Sequence, residues 1–253
     1  MTPLFIALQF LTTFPIQLKA MPSQQQNAQS LLWYPVVGLM IGGILFAVVT
    51  LLHSLPSILL ASLVLVVWIW LTGGLHLDGL ADTADAWVGG FGDKQRILKI
   101  MKDPACGPIG VLSLIIICLL KWSAIYVLLE RQLYAGLLLF PVLGRLSALF
   151  LFLTTKYVRE KGLGASIAAF IPKTAVIVVF LLYLVVTAYF SWIGILTGLI
   201  FLACLMYLRY KFIQRIGGIT GDTIGASIEI TEAVTLLSFV ILSFYLPLRF
   251  LNI

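Results

Sequence analysis

Seven apolar runs, each of about the length needed to cross a lipid bilayer, constrain the fold more than any other feature of the sequence. They cover residues 31–52, 56–72, 108–128, 133–155, 174–191, 193–209 and 233–251. A transmembrane helix needs roughly 20 mostly apolar residues, and only the runs 56–72 and 193–209 are short. The chain is 61% hydrophobic and 10% charged, which excludes a soluble domain with a polar surface.

The runs are continuous and do not alternate in polarity, which favours helices. Residues 1–18 are also apolar, but Thr12, Thr13 and Pro15 interrupt them, and the basic start and cleavage site of a signal peptide are missing. This pattern predicts a retained interfacial or re-entrant segment. We therefore expect an all-α, polytopic integral membrane helical bundle of about seven transmembrane helices, forming one domain over residues 1–253.

The basic residues predict how these helices are oriented. If the runs alternate in direction, the long connectors 19–30, 73–107, 156–173 and 210–232 lie on one side of the membrane. With Arg209 at their edge, these connectors hold Lys19, Lys94, Arg96, Lys99, Lys102, Lys156, Arg159, Lys161, Lys173, Lys211 and Arg215. The other side holds only Arg131 and Arg249. The positive-inside rule then predicts a protein of the cytoplasmic (inner) membrane whose long connectors face the cytoplasm.

The ten acidic residues are grouped, because all except Glu130 and Glu160 fall in two of these connectors. In HLDGLADTADA, Asp78, Asp82 and Asp85 are spaced i, i+4 and i+7, so they lie within about 60° of one another around a helix. Such a stripe of like charges next to an apolar run needs a compensating positive charge. Oxygen-only ligands favour magnesium, manganese or calcium, and magnesium typically binds together with substrate phosphates.

Polar residues near the stripe extend the predicted site. His76 has the chemistry of an acid, a base or a phosphate contact, or of an interfacial hydrogen-bonding residue. In GGITGDTIGASIEITEA, Asp222 and Glu229 share a helical face. Gly221 and Gly225 there allow either a backbone cradle for phosphate or close packing of helices.

Three cations are further candidates. Lys102 belongs to an amphipathic segment, where it either lies in the headgroup layer or clamps a diphosphate. Arg145 and Lys121 fall inside predicted spans, where charge is costly. For Arg145 we expect a partner, either an acid or a substrate phosphate. Cys106, Cys118 and Cys204 are isolated and indicate neither a disulfide framework nor a zinc site.

These motifs resemble the cobalamin synthase family, adenosylcobinamide-GDP ribazoletransferase. The strongest match is GGLHLDGLADTADAWVGGFGDKQRILKIMKDPACGPIGV, supported by ALQFLTTFP, YPVVGLMIGG and TGDTIGASIEITE in the family's order. The chain departs from the family at Thr13, where a basic residue is usual, and at Ala86, where Gly is usual. Pro104 and Ala105 stand where the family has a Ser-Arg pair, so we assign no cationic contact there.

The resemblance implies that the chain transfers the cobinamide phosphoryl group of adenosylcobinamide-GDP to a ribose hydroxyl of α-ribazole or its 5′-phosphate, with release of GMP. Mg²⁺ is the implied cofactor, and the lipid bilayer is the implied surroundings, with no nucleic acid. A homo-oligomer, or association with other cobalamin-assembly enzymes, is left open. The expected metal ligands are Asp78, Asp82 and Asp85, the catalytic residues His76, Asp82, Asp222 and Glu229, and the substrate-binding residues Lys102, Arg145, Gly221 and Gly225.

Two alternatives differ in testable ways. A CDP-alcohol phosphotransferase would show DxxDG followed by GxxxDxxxD, and the sequence contains no DxxDG. A prenyltransferase would show a DDxxD-like or NDxxD-like pair, which is also missing. A transporter or channel that uses the acids as a cation site predicts acids near the middle of the bilayer, often with an internal repeat. The acids here are predicted at the ends of spans, and no repeat is visible.

Overall fold

The structure is a computed structural model that describes residues 2–18 and 20–246, and over these residues the fold is all-α, as predicted. The only β-type pairing within the described residues is an isolated bridge between Tyr157 and Ile219. The helices are α1 (Thr2–Leu11), α2 (Gln24–Ser30), α3 (Tyr34–Leu51), α4 (Ser57–Thr72), α5 (Leu75–Gly89), α6 (Lys94–Ile100), α7 (Pro108–Glu130), α8 (Phe140–Thr154), α9 (Leu163–Phe170), α10 (Lys173–Val186), α11 (Ser191–Ile216) and α12 (Gly221–Tyr245).

Five helical segments of the described chain are long and apolar enough to cross a membrane, or six if α4 and α5 together form one broken span. The predicted spans 174–191 and 193–209 both fall within one helical run of 44 residues, Lys173–Ile216. A polytopic membrane protein is therefore confirmed, whereas the count of seven helices is not. The end of the last predicted span, with Arg249, and also Lys19 lie outside the described residues.

Exposed apolar faces mark where the bundle meets lipid. Large apolar side chains are exposed along α4, α7, α10 and α11, for example Val66, Leu119, Leu182 and Met206. Such continuous apolar surface is costly in water and is stable against lipid tails. The inner faces of α3, α8 and α12 instead form the buried core. At Gly38 and Gly42, α3 lies against the backbone near Pro141 and Leu137, because a glycine lets two helices approach closely.

Helix α12 is the centre of the bundle and packs against α5, α7, α8 and α11. It begins at Gly221, so the prediction that residues 210–232 form a connector is wrong. Asp222, Glu229 and Glu232 lie within the helix, and the two glutamates are buried. Hydropathy alone placed the start of this helix too late, because its first half carries acidic and hydroxyl side chains. The two glutamates pair with cations of other helices, and most of the hydroxyls donate to backbone carbonyls of α12 itself.

A sharp bend separates α4 from α5. Gly73 (φ 62°) and Gly74 (φ 70°) both take left-handed backbone conformations, and the two helix axes differ by 87°. Two successive left-handed residues are favourable only for glycine. Because α5 turns away from α4 and carries three carboxylates that are not buried, we treat α5 as lying outside the spanning segments. At the amino end of the chain, α1 has 10 residues, too few to cross a bilayer, and packs on α2 and α3.

Candidate active site

The acidic stripe lies on α5, in line with the helical spacing of its three members. Asp78 is exposed, and Asp82 and Asp85 are half-buried. Helix α5 crosses α12 at two glycines. A Cβ at Gly79 would lie 2.8 Å from the carbonyl oxygen of Asp222, and a Cβ at Gly225 would lie 3.3 Å from the Cα of His76. These glycines therefore allow the close contact that brings Asp222 beside the stripe, and for Gly225 this favours the helix-packing role.

The carboxylates of the two segments share one electrostatic environment. Partial burial, with the negative charges of Asp78 and Asp222 next in importance, raises the pKa of Asp82 to about 6, and the Arg159 guanidinium opposes this shift. The raised pKa therefore reflects burial first and the neighbouring carboxylates second, and Arg159 offsets these effects only in part. Within residues 2–18 and 20–246, however, no three or more His, Cys, Asp or Glu side chains are grouped closely enough to hold a metal ion by themselves.

Arg159 is a residue of the candidate site that the sequence analysis did not single out. Its guanidinium forms an ion pair with Asp222, and its Nη2 also donates to the carbonyl oxygen of Met101 at 3.4 Å. The Arg159 segment is fixed to the start of α12 by two backbone hydrogen bonds. The Val158 N–H donates to Ile219 O at 2.9 Å, and the Ile219 N–H donates to Lys156 O at 2.8 Å. The available signal was its position in a basic connector predicted on the same face as the acids.

A cavity of about 260 Å³ opens beside this cluster. His76, Asp78, Tyr157, Gly221 and Asp222 are among its lining residues. His76 is buried, and neither ring nitrogen has a hydrogen-bond partner in the described part of the chain. The predicted residues His76, Asp78, Asp222, Gly221 and Gly225 are thus brought together at one cavity, with Asp82 on the same helix.

Two other predicted residues belong to a second, deeper cluster, which we term the buried ion network: Lys121, Arg145, Glu229 and Glu232. Lys121 Nζ lies 2.6 Å from Glu229 Oε2 and 2.5 Å from Glu232 Oε2, and Arg145 pairs with Glu232 Oε1. The ammonium group also lies 4.6 Å from the centre of the Trp68 ring. Arg145 has an acid as its partner, one of its two expected kinds, and neither Arg145 nor Glu229 lines the cavity.

Asp85 and Lys102 also lie outside the cavity lining. The two carboxylate oxygens of Asp85 accept hydrogen bonds from the backbone N–H groups of Gly107 at 2.7 Å and Gly110 at 2.8 Å. They therefore fix the amino end of α7 to α5. Lys102 is exposed in the turn after α6 and forms no ion pair among the described residues.

Comparison with known proteins yields a family and close relatives. Residues 3–240 match the family model described as cobalamin-5-phosphate synthase. The adenosylcobinamide-GDP ribazoletransferase of an Acinetobacter baumannii strain is 60% identical over 246 residues, covering 97% of this chain and 100% of the relative. The proteins of the same name from Pseudomonas syringae pv. syringae and Stutzerimonas stutzeri are 47% and 48% identical, covering 96% and 93% of this chain and 100% and 96% of the relatives. No solved structure matches the chain.

Proposed function

The chain belongs to the cobalamin-5-phosphate synthase family, and we propose that it acts as an adenosylcobinamide-GDP ribazoletransferase in cobalamin biosynthesis. In this reaction a ribose hydroxyl of ribazole, or of its 5′-phosphate, attacks the phosphorus that carries the cobinamide. A phosphorus–oxygen bond forms to the ribose, the bond to GMP breaks, and the hydroxyl proton passes to a base. The site must therefore bind a diphosphate, accept one proton and position one hydroxyl.

One observation carries the proposal, namely the excess of carboxylate beside the cavity. Asp78 and Asp222 line it and Asp82 lies on the same helix as Asp78, and among the described residues the one cation in an ion pair with these acids is Arg159. Carboxylates and a diphosphate repel each other unless a cation lies between them. The donors are all oxygen, and fewer than three of them are grouped closely enough to hold a metal. This fits Mg²⁺, which is commonly held by one or two carboxylates together with substrate phosphates.

We therefore propose that one or two of the carboxylates of Asp78, Asp82 and Asp222 bind Mg²⁺ together with the substrate phosphates. When bound, the ion would neutralise the diphosphate and the charge that develops on departing GMP. Asp85 is not included in this set, because its oxygens already accept two backbone hydrogen bonds. Glu229 and Arg145 act from within the bilayer, since they hold α12 in place from the buried ion network.

The roles that we propose for the other residues of the site are based on their positions. His76 lines the cavity, and its ring nitrogens have no partner among the described residues, which supports its imidazole as the group that accepts the hydroxyl proton. Gly221 lies in the first turn of α12, where free N–H groups and the helix dipole favour a phosphate. Arg159 would exchange its carboxylate partner for the diphosphate. Lys102, exposed near the same face, would help to attract the anionic substrate.

We place the protein in the cytoplasmic (inner) membrane, with this site facing the cytoplasm. The basis is the concentration of lysine and arginine in the long connectors on that side. That orientation gives the site access to soluble, phosphorylated substrates.

The test is GMP release by the purified protein in lipid, given adenosylcobinamide-GDP, α-ribazole 5′-phosphate and Mg²⁺. We expect release to need all three, and Asp82→Asn to lower the rate by about 10²-fold or more, in the range of losses seen for groups that stabilise a transition state. Glu160→Gln is the matched control, because Glu160 is an exposed acid outside the cluster. Absence of GMP release from folded wild-type protein would overturn the proposal.

A further inference from the structure

The cavity beside the acidic cluster is small. Its volume of about 260 Å³ is below the roughly 300–1,000 Å³ that drug-sized ligands occupy. A corrin or a complete guanosine diphosphate is too large for a cavity of this volume. The cavity therefore has room for one compact part of a substrate, and the rest of that substrate must lie outside.

Much of the cavity lining is apolar, and it includes two aromatic rings. The rings of Phe152 and Tyr157 stack with centroids 5.8 Å apart and planes inclined by 19°. Leu11, Ile167 and Ile228 are buried and line the same cavity. A guanine base would leave the polar groups on its edges without partners against such residues, which costs free energy. An apolar aromatic ring has no such polar groups to leave without partners, and it would gain stacking contacts with the two aromatic rings.

The same cavity is also lined by polar groups. Asp78 is exposed and Asp222 half-buried, whereas His76 is 3% exposed and has no hydrogen-bond partner on either ring nitrogen among the described residues. A buried ring nitrogen without a partner is unfavourable. A hydroxyl group on a molecule inside the cavity would satisfy one of these nitrogens.

Building on the proposed function, we infer that this cavity is the acceptor subsite. The flat, apolar benzimidazole base of ribazole lies against Phe152 and Tyr157, and its ribose extends to His76 and the acidic cluster. Among the parts of both substrates, this base is the one small, largely apolar ring system. Holding the base inside fixes the position of the sugar, so that the attacking hydroxyl meets the phosphorus in a defined orientation.

The test is a substitution that places a larger apolar side chain in the cavity. Ile167→Phe places a larger ring where Ile167, 1% exposed, now packs. We expect the KM for α-ribazole 5′-phosphate to rise about tenfold or more, with the KM for adenosylcobinamide-GDP unchanged. Val142→Phe is the control, because Val142 lines a separate apolar cavity together with Tyr183 and Phe190. It should leave both KM values unchanged.

Two further variants keep the inference open to disproof. Ile167→Ala enlarges the cavity, so it should shift selectivity toward a riboside with a bulkier base, such as naphthimidazole. Leu163→Phe fills the same cavity from a less buried position, if Ile167→Phe does not fold. Should these variants raise the KM for the cobinamide substrate, or leave the acceptor KM unchanged, the inference is wrong while the transferase function stands. Wild-type protein that releases no GMP would instead remove both.

Discussion

Helix α12 carries acidic residues in two regions. In one region cations neutralise the negative charge, and in the other they do not. In the buried ion network, two turns into the helix, Glu229 and Glu232 are matched by Lys121 and Arg145, so the acids and cations balance. All four side chains are almost completely buried.

At the start of the same helix, Asp222 faces Asp78 and Asp82 of α5 with Arg159 as the one cation in an ion pair there, among the residues the structure describes. These carboxylates are exposed or half-buried. Here negative charge exceeds positive charge, and water reaches the groups.

The difference separates structural charge from functional charge. A balanced, closed network stabilises the bundle and has no room for a ligand, whereas an unbalanced, open cluster is stabilised by binding a cation. Buried acids are also what a transporter would use, but Lys121 and Arg145 already neutralise the two glutamates. The comparison therefore favours an enzyme whose chemistry lies at the surface cluster.

The largest expected effect would come from breaking the balance of the network. Glu232→Gln leaves two cations against one acid, and removing one partner of a buried pair costs about 3–5 kcal/mol of folding free energy. Thermal unfolding in detergent should show this loss, and Glu130→Gln, at an exposed acid on α7, should stay within about 0.5 kcal/mol of wild type. The balanced double variant Lys121→Met/Glu229→Gln should lose less. Unchanged unfolding of Glu232→Gln would contradict the structural role.

The second prediction concerns Mg²⁺ binding to the open cluster of Asp78, Asp82 and Asp222. If the open cluster binds Mg²⁺, a concentration of 100 times Kd stabilises the folded protein by about 2.7 kcal/mol. The unfolding midpoint of wild type should rise with MgCl₂, and Asp82→Asn/Asp222→Asn should remove the rise. Glu160→Gln, whose exposed acid lies outside the cluster, should retain it. An equal rise in all three proteins would show that Mg²⁺ binds elsewhere.

A substitution at Asp85 tests whether this carboxylate has a structural role or binds the metal. We expect Asp85→Asn to weaken the hydrogen bonds to Gly107 and Gly110 and to lower stability by about 1–3 kcal/mol. Its Mg²⁺ response, measured by the same unfolding assay, should remain. Normal stability with no Mg²⁺ response would instead make Asp85 the metal ligand that the sequence predicts.

The smallest expected effect concerns Arg159. Arg159→Gln should raise the KM for adenosylcobinamide-GDP about tenfold, equivalent to about 1.4 kcal/mol, because the diphosphate loses a cationic contact. Arg159→Lys should recover part of the loss. Arg209→Gln is the control, since within residues 2–18 and 20–246 that guanidinium donates only to the carbonyl oxygen of Thr154. Steady-state kinetics of GMP release measure these values, and an unchanged KM in Arg159→Gln would exclude the contact.

Much of this arrangement is predictable from the sequence, because it depends on local patterns. Apolar length predicts membrane helices, and the spacing of Asp78, Asp82 and Asp85 predicts a stripe on one helix, which α5 carries. The cost of charge in a span predicts a partner for Arg145, which has Glu232.

What the sequence misses depends on contacts between distant segments. The start of α12 and the pairing of Asp222 with Arg159 depend on residues far away in the chain. The carboxylate of Asp85 resembles its neighbours in spacing, and only the position of the Gly107 and Gly110 amides distinguishes it. A local pattern carries no information about which distant group will be adjacent.

The order of charges along the chain has a consequence for synthesis. Lys121 precedes its partner Glu229 by 108 residues, and Arg145 precedes Glu232 by 87. Helices α7 and α8 therefore emerge from the ribosome and meet the insertion machinery while both cations are still uncompensated, because α12 is made after them. Assembly of the bundle must wait for this helix. A nascent chain that stops before α12 should remain a substrate for the proteases that clear unassembled membrane proteins.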